Sequence, residues 1–180
     1  MFREVSHRSD EPFGMNSFET RRIFPRAIYA ASVNQLKRLL LAFRLSFPTA
    51  SCSILSQTVL IYVGNAVLLA AEETEQSESQ FYLRICLAGL EDLYGSYRQA
   101  WGVMKGLLSL SLKRDAINPD EAGRIMREMM VLGRHHNNPE EVTSSAMMDL
   151  ELACIDPSAA QVNCLAGQFD DLMLMRKATE

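Results

Sequence analysis

The sequence predicts an all-α protein of 180 residues. Apolar side chains recur at steps of three and four in several segments, which is the period of an amphipathic helix. No segment shows the alternation of β-branched residues, bounded by turns, that is typical of a strand. We expect an incomplete helical bundle at residues 25–134, between a disordered leader at residues 1–24 and an acidic tail, weakly helical to disordered, at residues 135–180.

The composition excludes several classes of protein. With 48% apolar and 22% charged residues, the chain is too apolar to be wholly disordered. A net charge of −4 argues against a protein that coats nucleic acid through bulk positive charge. The four cysteines are far apart and form no CxxC pair, which argues against a disulfide-dense secreted module and against a zinc ribbon; they are Cys52, Cys86, Cys154 and Cys164.

The first predicted helix is amphipathic and basic. Between Arg21 and Pro48 there are six basic residues and no acid. Pro25 lies near the expected start and Pro48 at the expected end. The expected apolar face consists of Val33, Leu36, Leu40, Phe43 and Phe47. The expected opposite, polar side consists of Asn34, Lys37, Arg38 and Arg44.

The next segment, Cys52–Ala71, is twenty residues long and carries no charge. That is the length of a membrane span. Its polar side chains, such as Gln57 and Asn65, and the acidic pair that follows it favour a buried core helix over a membrane helix. A helix that is apolar on all sides must be surrounded by other helices.

Two further helices follow. The strongest periodic signal predicts one continuous helix along Leu83, Leu87, Leu90, Tyr94, Tyr97, Trp101, Met104 and Leu108. Asn118-Pro119-Asp120-Glu121 then has the composition of a helix start, with asparagine as the N-cap and proline in the first turn. The buried face of that helix is expected at Ala122, Ile125, Met126, Met129 and Leu132. Gly133 should end it, and Asn138-Pro139 repeats the start signal.

The sequence contains no recognisable catalytic or cofactor-binding motif. It lacks the phosphate loop, the dinucleotide-binding glycine pattern, HExxH and the GxSxG elbow. His135 and His136 could join Cys154 and Cys164 at a metal, but the spacing fits no known zinc pattern. We therefore expect a protein that is not an enzyme, with no catalytic residue, metal or cofactor.

The acidic tail contains a short apolar motif, Phe169–Met175, with two aspartates inside it. Bulky apolar residues among acids are typical of disordered activation segments that fold onto a coactivator. On that interpretation, Phe169, Leu172 and Met175 become buried together on the partner.

The helix order resembles the closing part of the regulatory middle homology region of fungal zinc-cluster transcription factors, including nitrate-assimilation-type regulators. The resemblance spans Pro25–Asp115, about half of the chain, and three stretches carry it: SVNQLKRLLLAFRLSFP, SQTVLIYVGNAVLLAA and YLRICLAGLEDLYGSYRQAWGVMKGLLSL. The resemblance implies a regulatory helical region in a nuclear protein, cytoplasmic if the chain stands alone. It also implies protein partners, either a coactivator or a related transcription factor, and no membrane.

The chain departs from that family because the six-cysteine zinc cluster is missing. By itself it should not contact DNA, and it resembles a fragment or a diverged paralogue. Without the upstream helices we expect exposed apolar surface at Leu36, Leu40 and Phe43, or on the Tyr94–Leu108 helix. The alternative function is a helical adaptor, or a dominant-negative partner that forms a homo- or hetero-oligomer through its incomplete bundle.

Overall fold

The computed structural model describes residues 17–47, 53–70, 76–133 and 146–177, and within these ranges the protein is all-α, as predicted. Its helices are α1 (Ser17–Ser46), α2 (Ile54–Leu69), α3 (Gln76–Tyr94), α4 (Ala100–Lys113), α5 (Pro119–Leu132), α6 (Leu150–Ala153) and α7 (Val162–Lys177). The single β-type contact among these residues is an isolated bridge between Met147 and Gln161.

Helix α4 is the centre of the bundle. Every residue from Gly102 to Ser111 is buried. The helix packs most extensively against α7, and it also contacts α2, α3 and α5. At Gly106 an added Cβ would lie 2.5 Å from the Met148 sulfur, so the absence of a side chain lets the segment before α6 approach the helix closely. The most deeply buried element is therefore α4, rather than α2.

Helix α2 belongs to the core along its second half. Its residues from Val63 to Leu68 are all buried, whereas Leu55 and Tyr62 are exposed. The Asn65 side-chain amide donates a hydrogen bond to the Met148 carbonyl, which satisfies a polar group inside an apolar surrounding. In the described part of the chain no helix has the length and hydropathy needed to cross a bilayer.

The long helix predicted from Leu83 to Leu108 is wrong, because the chain turns between Tyr94 and Ala100. The Ser96 and Tyr97 backbone amides both donate to the Leu93 carbonyl, at 3.0 and 2.7 Å, and close a tight turn. The predicted apolar side chains before and after the turn still lie in one core, because α3 and α4 pack against each other. The Tyr94 and Trp101 rings meet there with their centroids 5.5 Å apart.

Helix α5 starts where the sequence predicts. The Glu121 backbone amide donates to the Asn118 side-chain oxygen at 2.8 Å, and Pro119 occupies the first turn. Gly133 is the residue at its C-terminal cap, as predicted. The expected buried face is confirmed except at Leu132, which is exposed. The repeated start signal at Asn138 lies outside the described residues.

The two ends of the predicted bundle need correction. Helix α1 starts at Ser17, so residues 17–24 of the predicted disordered leader are helical, and Pro25 lies inside the helix. Proline removes one backbone hydrogen bond but fixes a φ angle that is compatible with a helix. At the other end, residues 146–177 are not a loose tail. Met148 donates a backbone hydrogen bond to Ala160 at 2.8 Å, and α7 then packs on α4.

Candidate interaction surfaces

The apolar motif of the tail is divided by the structure between core and surface. Phe169 is only 3% exposed and belongs to the main core, whereas Leu172 and Met175 are 40% and 71% exposed. The prediction that these three side chains become buried together on a partner therefore has to be corrected. Phe169 is covered by the chain's own helices, and a partner can reach Leu172 and Met175.

Polar contacts fix the position of α7 beside α4. Lys105 donates a hydrogen bond of 2.7 Å to the Asp170 carboxylate, and its ammonium lies 5.5 Å from the centre of the Trp101 ring. Lys113 also donates to the Gln168 side-chain oxygen. Because the Lys105 side chain is almost buried, its charge requires this carboxylate partner. The surface that α7 presents is therefore held in one orientation.

An apolar cleft of about 620 Å³ opens between the last turns of α7 and the turn that joins α4 to α5. The turn contains Asp115 in the left-handed backbone region, with φ of 51°, a conformation that aspartate tolerates better than most residues. The apolar walls are formed by Leu112, Ile117, Pro119, Leu172, Met173 and Met175. Charged groups of Lys113 and Asp115 and the amide of Asn118 complete the lining.

This cleft contains two of the predicted partner-binding residues and several residues that were not predicted. Leu172 and Met175 form one wall, as part of the tail motif. Ile117 and Pro119 form the other wall, and their neighbour Asn118 was recognised only as a helix start. The sequence alone could not indicate that the two walls lie next to each other, because more than fifty residues separate them along the chain.

The second predicted surface, on α1, is rotated relative to the prediction. Lys37 is buried, and its ammonium lies 3.3 Å from the Glu78 carboxylate and 5.0 Å from the centre of the Tyr82 ring. Arg44 forms a 2.8 Å ion pair with Asp92. Both acids belong to α3, so Lys37 and Arg44 of the expected polar side face the bundle, whereas Asn34 and Arg38 are exposed. The physical reason is that buried or half-buried cations require acidic partners, and α3 supplies them.

The predicted apolar residues of α1 consequently have different environments. Leu40 is buried in the core, Leu36 is half-buried against it, and Phe43 is exposed. The expectation of exposed apolar surface is thus wrong for Leu40 and correct for Phe43. It is also wrong for the Tyr94–Leu108 segment, where Tyr94, Met104 and Leu108 are buried. Among residues 27–47, whose exposure is described, the exposed large side chains are Ile28, Tyr29, Leu39, Phe43 and Leu45 of α1 and Phe47 directly after it.

A smaller, polar cleft lies between α3 and α5, with a volume of about 210 Å³. Arg84 approaches Glu121 at 3.5 Å, and Arg124 pairs with Glu128 at 2.8 Å. Burial, together with the nearby Glu128 and Asp92 carboxylates, raises the pKa of Glu91. These groups form an ion-pair network that bridges two helices, and they include no nucleophile beside a base.

The cysteines do not form a site in the described ranges. Burial raises the pKa of the Cys86 thiol to about 12, which makes it an unreactive core residue. Cys154 is exposed, Cys164 is half-buried, and both are free thiols. Within residues 17–47, 53–70, 76–133 and 146–177, no group of three or more His, Cys, Asp or Glu could hold a metal. His135 and His136 lie outside these ranges.

No family model, curated protein or solved structure matches this chain.

Proposed function

We propose that the chain is a non-catalytic, helical protein-interaction region of a nuclear transcription regulator, of the zinc-cluster type that its helix order resembles. In this proposal the α7 cleft receives the apolar side chains of a coactivator. The observation that carries it is the cleft itself, where the exposed residues of the acidic-hydrophobic tail motif meet the α4–α5 turn. The resemblance supplies the transcriptional context, and the cleft supplies the contact.

The chemistry of the cleft defines the ligand that it fits. Its walls are mostly leucine, isoleucine and methionine, and methionine side chains adapt to partners of different shape. Lys113 and Asp115 lie at the same opening and can pair with charges on either side of an apolar anchor. A short amphipathic helix would complement this lining, with two or three apolar side chains one turn apart in the cleft and charged side chains beside Lys113 and Asp115.

The tail motif acts differently in this proposal from a disordered activation segment. Phe169 anchors α7 to the core, and Leu172 and Met175 face the partner from a preformed helix. A preformed helix has less chain entropy to lose on binding than a disordered one. Substitutions of Phe169 should therefore lower activity by destabilising the fold, whereas substitutions of Leu172 should lower it by weakening the contact with the partner.

A reporter assay tests the proposal. The full chain is fused to a heterologous DNA-binding domain, and reporter activity is compared with Leu172→Gln/Met175→Gln and with a control, Ile155→Gln. Ile155 is also an exposed apolar residue, 84% accessible, and it lies outside the cleft lining. We expect activation by the wild-type fusion, a clear loss in the double variant and no change in the control. An inactive wild-type fusion, or equal activity of all three proteins, would contradict the proposal.

A small apolar effector is a second candidate for the same cleft. The volume of about 620 Å³ falls within the range of roughly 300–1,000 Å³ that is usual for small-molecule sites. Thermal unfolding of the chain in the presence of a panel of amphipathic small molecules would test this. A rise in midpoint that disappears in Leu172→Gln/Met175→Gln would support an effector, and no rise would exclude the compounds of the panel.

A further inference from the structure

Arg98 is a half-buried cation for which the described part of the chain provides no partner. It lies in the turn between α3 and α4, and its Nη2 nitrogen is shielded from solvent without a hydrogen-bond acceptor. The other buried or half-buried cations Lys37, Arg44 and Lys105 each pair with a carboxylate. A guanidinium nitrogen that has lost its water without gaining an acceptor carries an uncompensated cost, so an anion that supplies the acceptor binds favourably.

The amino end of α4, which begins directly after this turn, is also unneutralised. The N-cap residue Gln99 makes no side-chain cap hydrogen bond, and the first turn contains no acidic residue. The Ala100 and Trp101 amides donate to carbonyls within the turn, but the buried Gly102 amide has no acceptor among the described residues. Because the dipole of the helix adds partial positive charge at this end, an anion there is stabilised by α4 as well as by Arg98.

We propose that Arg98 and the amino end of α4 bind a phosphate group. A phosphate ester carries a charge of about −1.5 to −2 at neutral pH, and its oxygen atoms can accept from a guanidinium and from a backbone amide together. A carboxylate carries a single charge and has fewer oxygen atoms to share between these donors. This site goes beyond the coactivator contact proposed above, because the cleft lies at the carboxyl end of α4 and Arg98 precedes its amino end.

Trp101 makes binding at this site directly observable. It is the single tryptophan of the chain and lies in the first turn of α4, three residues after Arg98. Its ring centre lies 5.5 Å from that of Tyr94 and 5.5 Å from the Lys105 ammonium, so its surroundings are well defined. An anion held by Arg98 changes the charge beside the indole ring, and we expect the fluorescence of Trp101 to change with it.

Titration of the full chain with sodium phosphate, against sodium chloride at equal ionic strength, tests the proposal. We expect a saturable change in fluorescence and a rise of about 3–6 °C in the unfolding midpoint at roughly tenfold excess over Kd. Both effects should disappear in Arg98→Gln and persist in Arg38→Gln, which removes an equal charge from an exposed position on α1. Arg98→Lys keeps the charge but loses the planar fork of donors, so it should weaken binding by about tenfold.

The same variants in chloride alone test whether the chain itself neutralises Arg98. Because an unpaired guanidinium adds little stability, the midpoint of Arg98→Gln should lie within about 2 °C of that of Arg38→Gln. A midpoint far below that of Arg38→Gln, with a far-ultraviolet circular dichroism spectrum that is still helical, would reveal an internal partner and overturn the proposal. If Arg98→Gln does not fold, Arg98→Lys serves for the comparison, with the same expected direction.

Three further results would overturn the proposal. They are no response of the wild type to phosphate beyond that to chloride, a response that Arg98→Gln retains, and an equal response to sodium acetate, which would make the ligand a carboxylate. O-phosphoserine as a second titrant distinguishes two sources of the same chemistry. Tighter binding of O-phosphoserine than of inorganic phosphate would support a phosphorylated protein as the source, and equal binding would support the free ion.

Discussion

The replacement of Phe169 by alanine measures whether α7 belongs to the folded core. The side chain is 3% exposed and packs within the same cluster as the central helix α4. Burial of a phenylalanine removes about 150–250 Å² from water, at about 25 cal/mol per Å². After allowance for a partly compact unfolded chain and for the cavity that remains, we expect a loss of about 3–5 kcal/mol in the free energy of unfolding.

Leu172→Ala is the matched control, because it lies in the same helix and the same motif. Its side chain is 40% exposed, so truncation should cost less than about 1 kcal/mol. Phe169→Leu keeps most of the buried volume and should lie between them, at about 1–1.5 kcal/mol. For a chain of this size, each kcal/mol corresponds to roughly 2–4 °C in the unfolding midpoint.

Urea unfolding followed by far-ultraviolet circular dichroism gives the three free energies. We expect the order Phe169→Ala, Phe169→Leu, Leu172→Ala from most to least destabilising. Equal and small effects at both positions would refute the packing of α7 on α4, and would restore the interpretation of this segment as a loose activation tail.

The remaining predictions concern single local features. Gly89→Ala should destabilise the chain by about 1–2 kcal/mol, because the new Cβ would lie 2.8 Å from a Leu60 methyl carbon and the clash exceeds the gain in helix propensity. Gly167→Ala, where nothing lies within 4 Å, should instead be stabilising by up to about 1 kcal/mol in the same urea titration, and a loss at both positions would contradict this reasoning. Asn118→Ala should cost about 1 kcal/mol through loss of the α5 cap, measured by thermal unfolding, and an unchanged midpoint would mean that the cap contributes nothing. The pKa of the Cys86 thiol is about 12 in the folded chain, above the ordinary thiol value of about 8.5. The stabilisation that comes from this shift should therefore be complete below about pH 8.5 and decrease as the pH rises toward 12. If the free energies of unfolding of the wild type and of Cys86→Ala change in parallel across this pH range, the prediction is contradicted.

Local patterns in the sequence were sufficient for the elements whose ends depend on nearby residues. The start of α5 follows from the Asn118 side chain and Pro119, which act within one turn. The charge-free segment is a helix because its length and composition permit little else, and the period of three and four residues places Leu90 and Leu108 in the core. Two of the nine residues that line the candidate cleft, Leu172 and Met175, could be selected from the local pattern of apolar and acidic residues in the tail.

Other features depend on contacts between distant parts of the chain. A helical period continues unchanged through the turn between α3 and α4, so periodicity alone could not locate it. The direction in which α1 faces is set by Glu78 and Asp92, which lie 41 and 48 residues from their partners. Phe169 has the same neighbours in sequence whether it is buried or exposed, and only the surface of α4 determines which. The sequence by itself thus determined the all-α class and the helix periods, because hydrogen bonding and capping are local. The rotation of each helix and the cleft were decided by the tertiary structure, because burial depends on which distant side chain lies opposite.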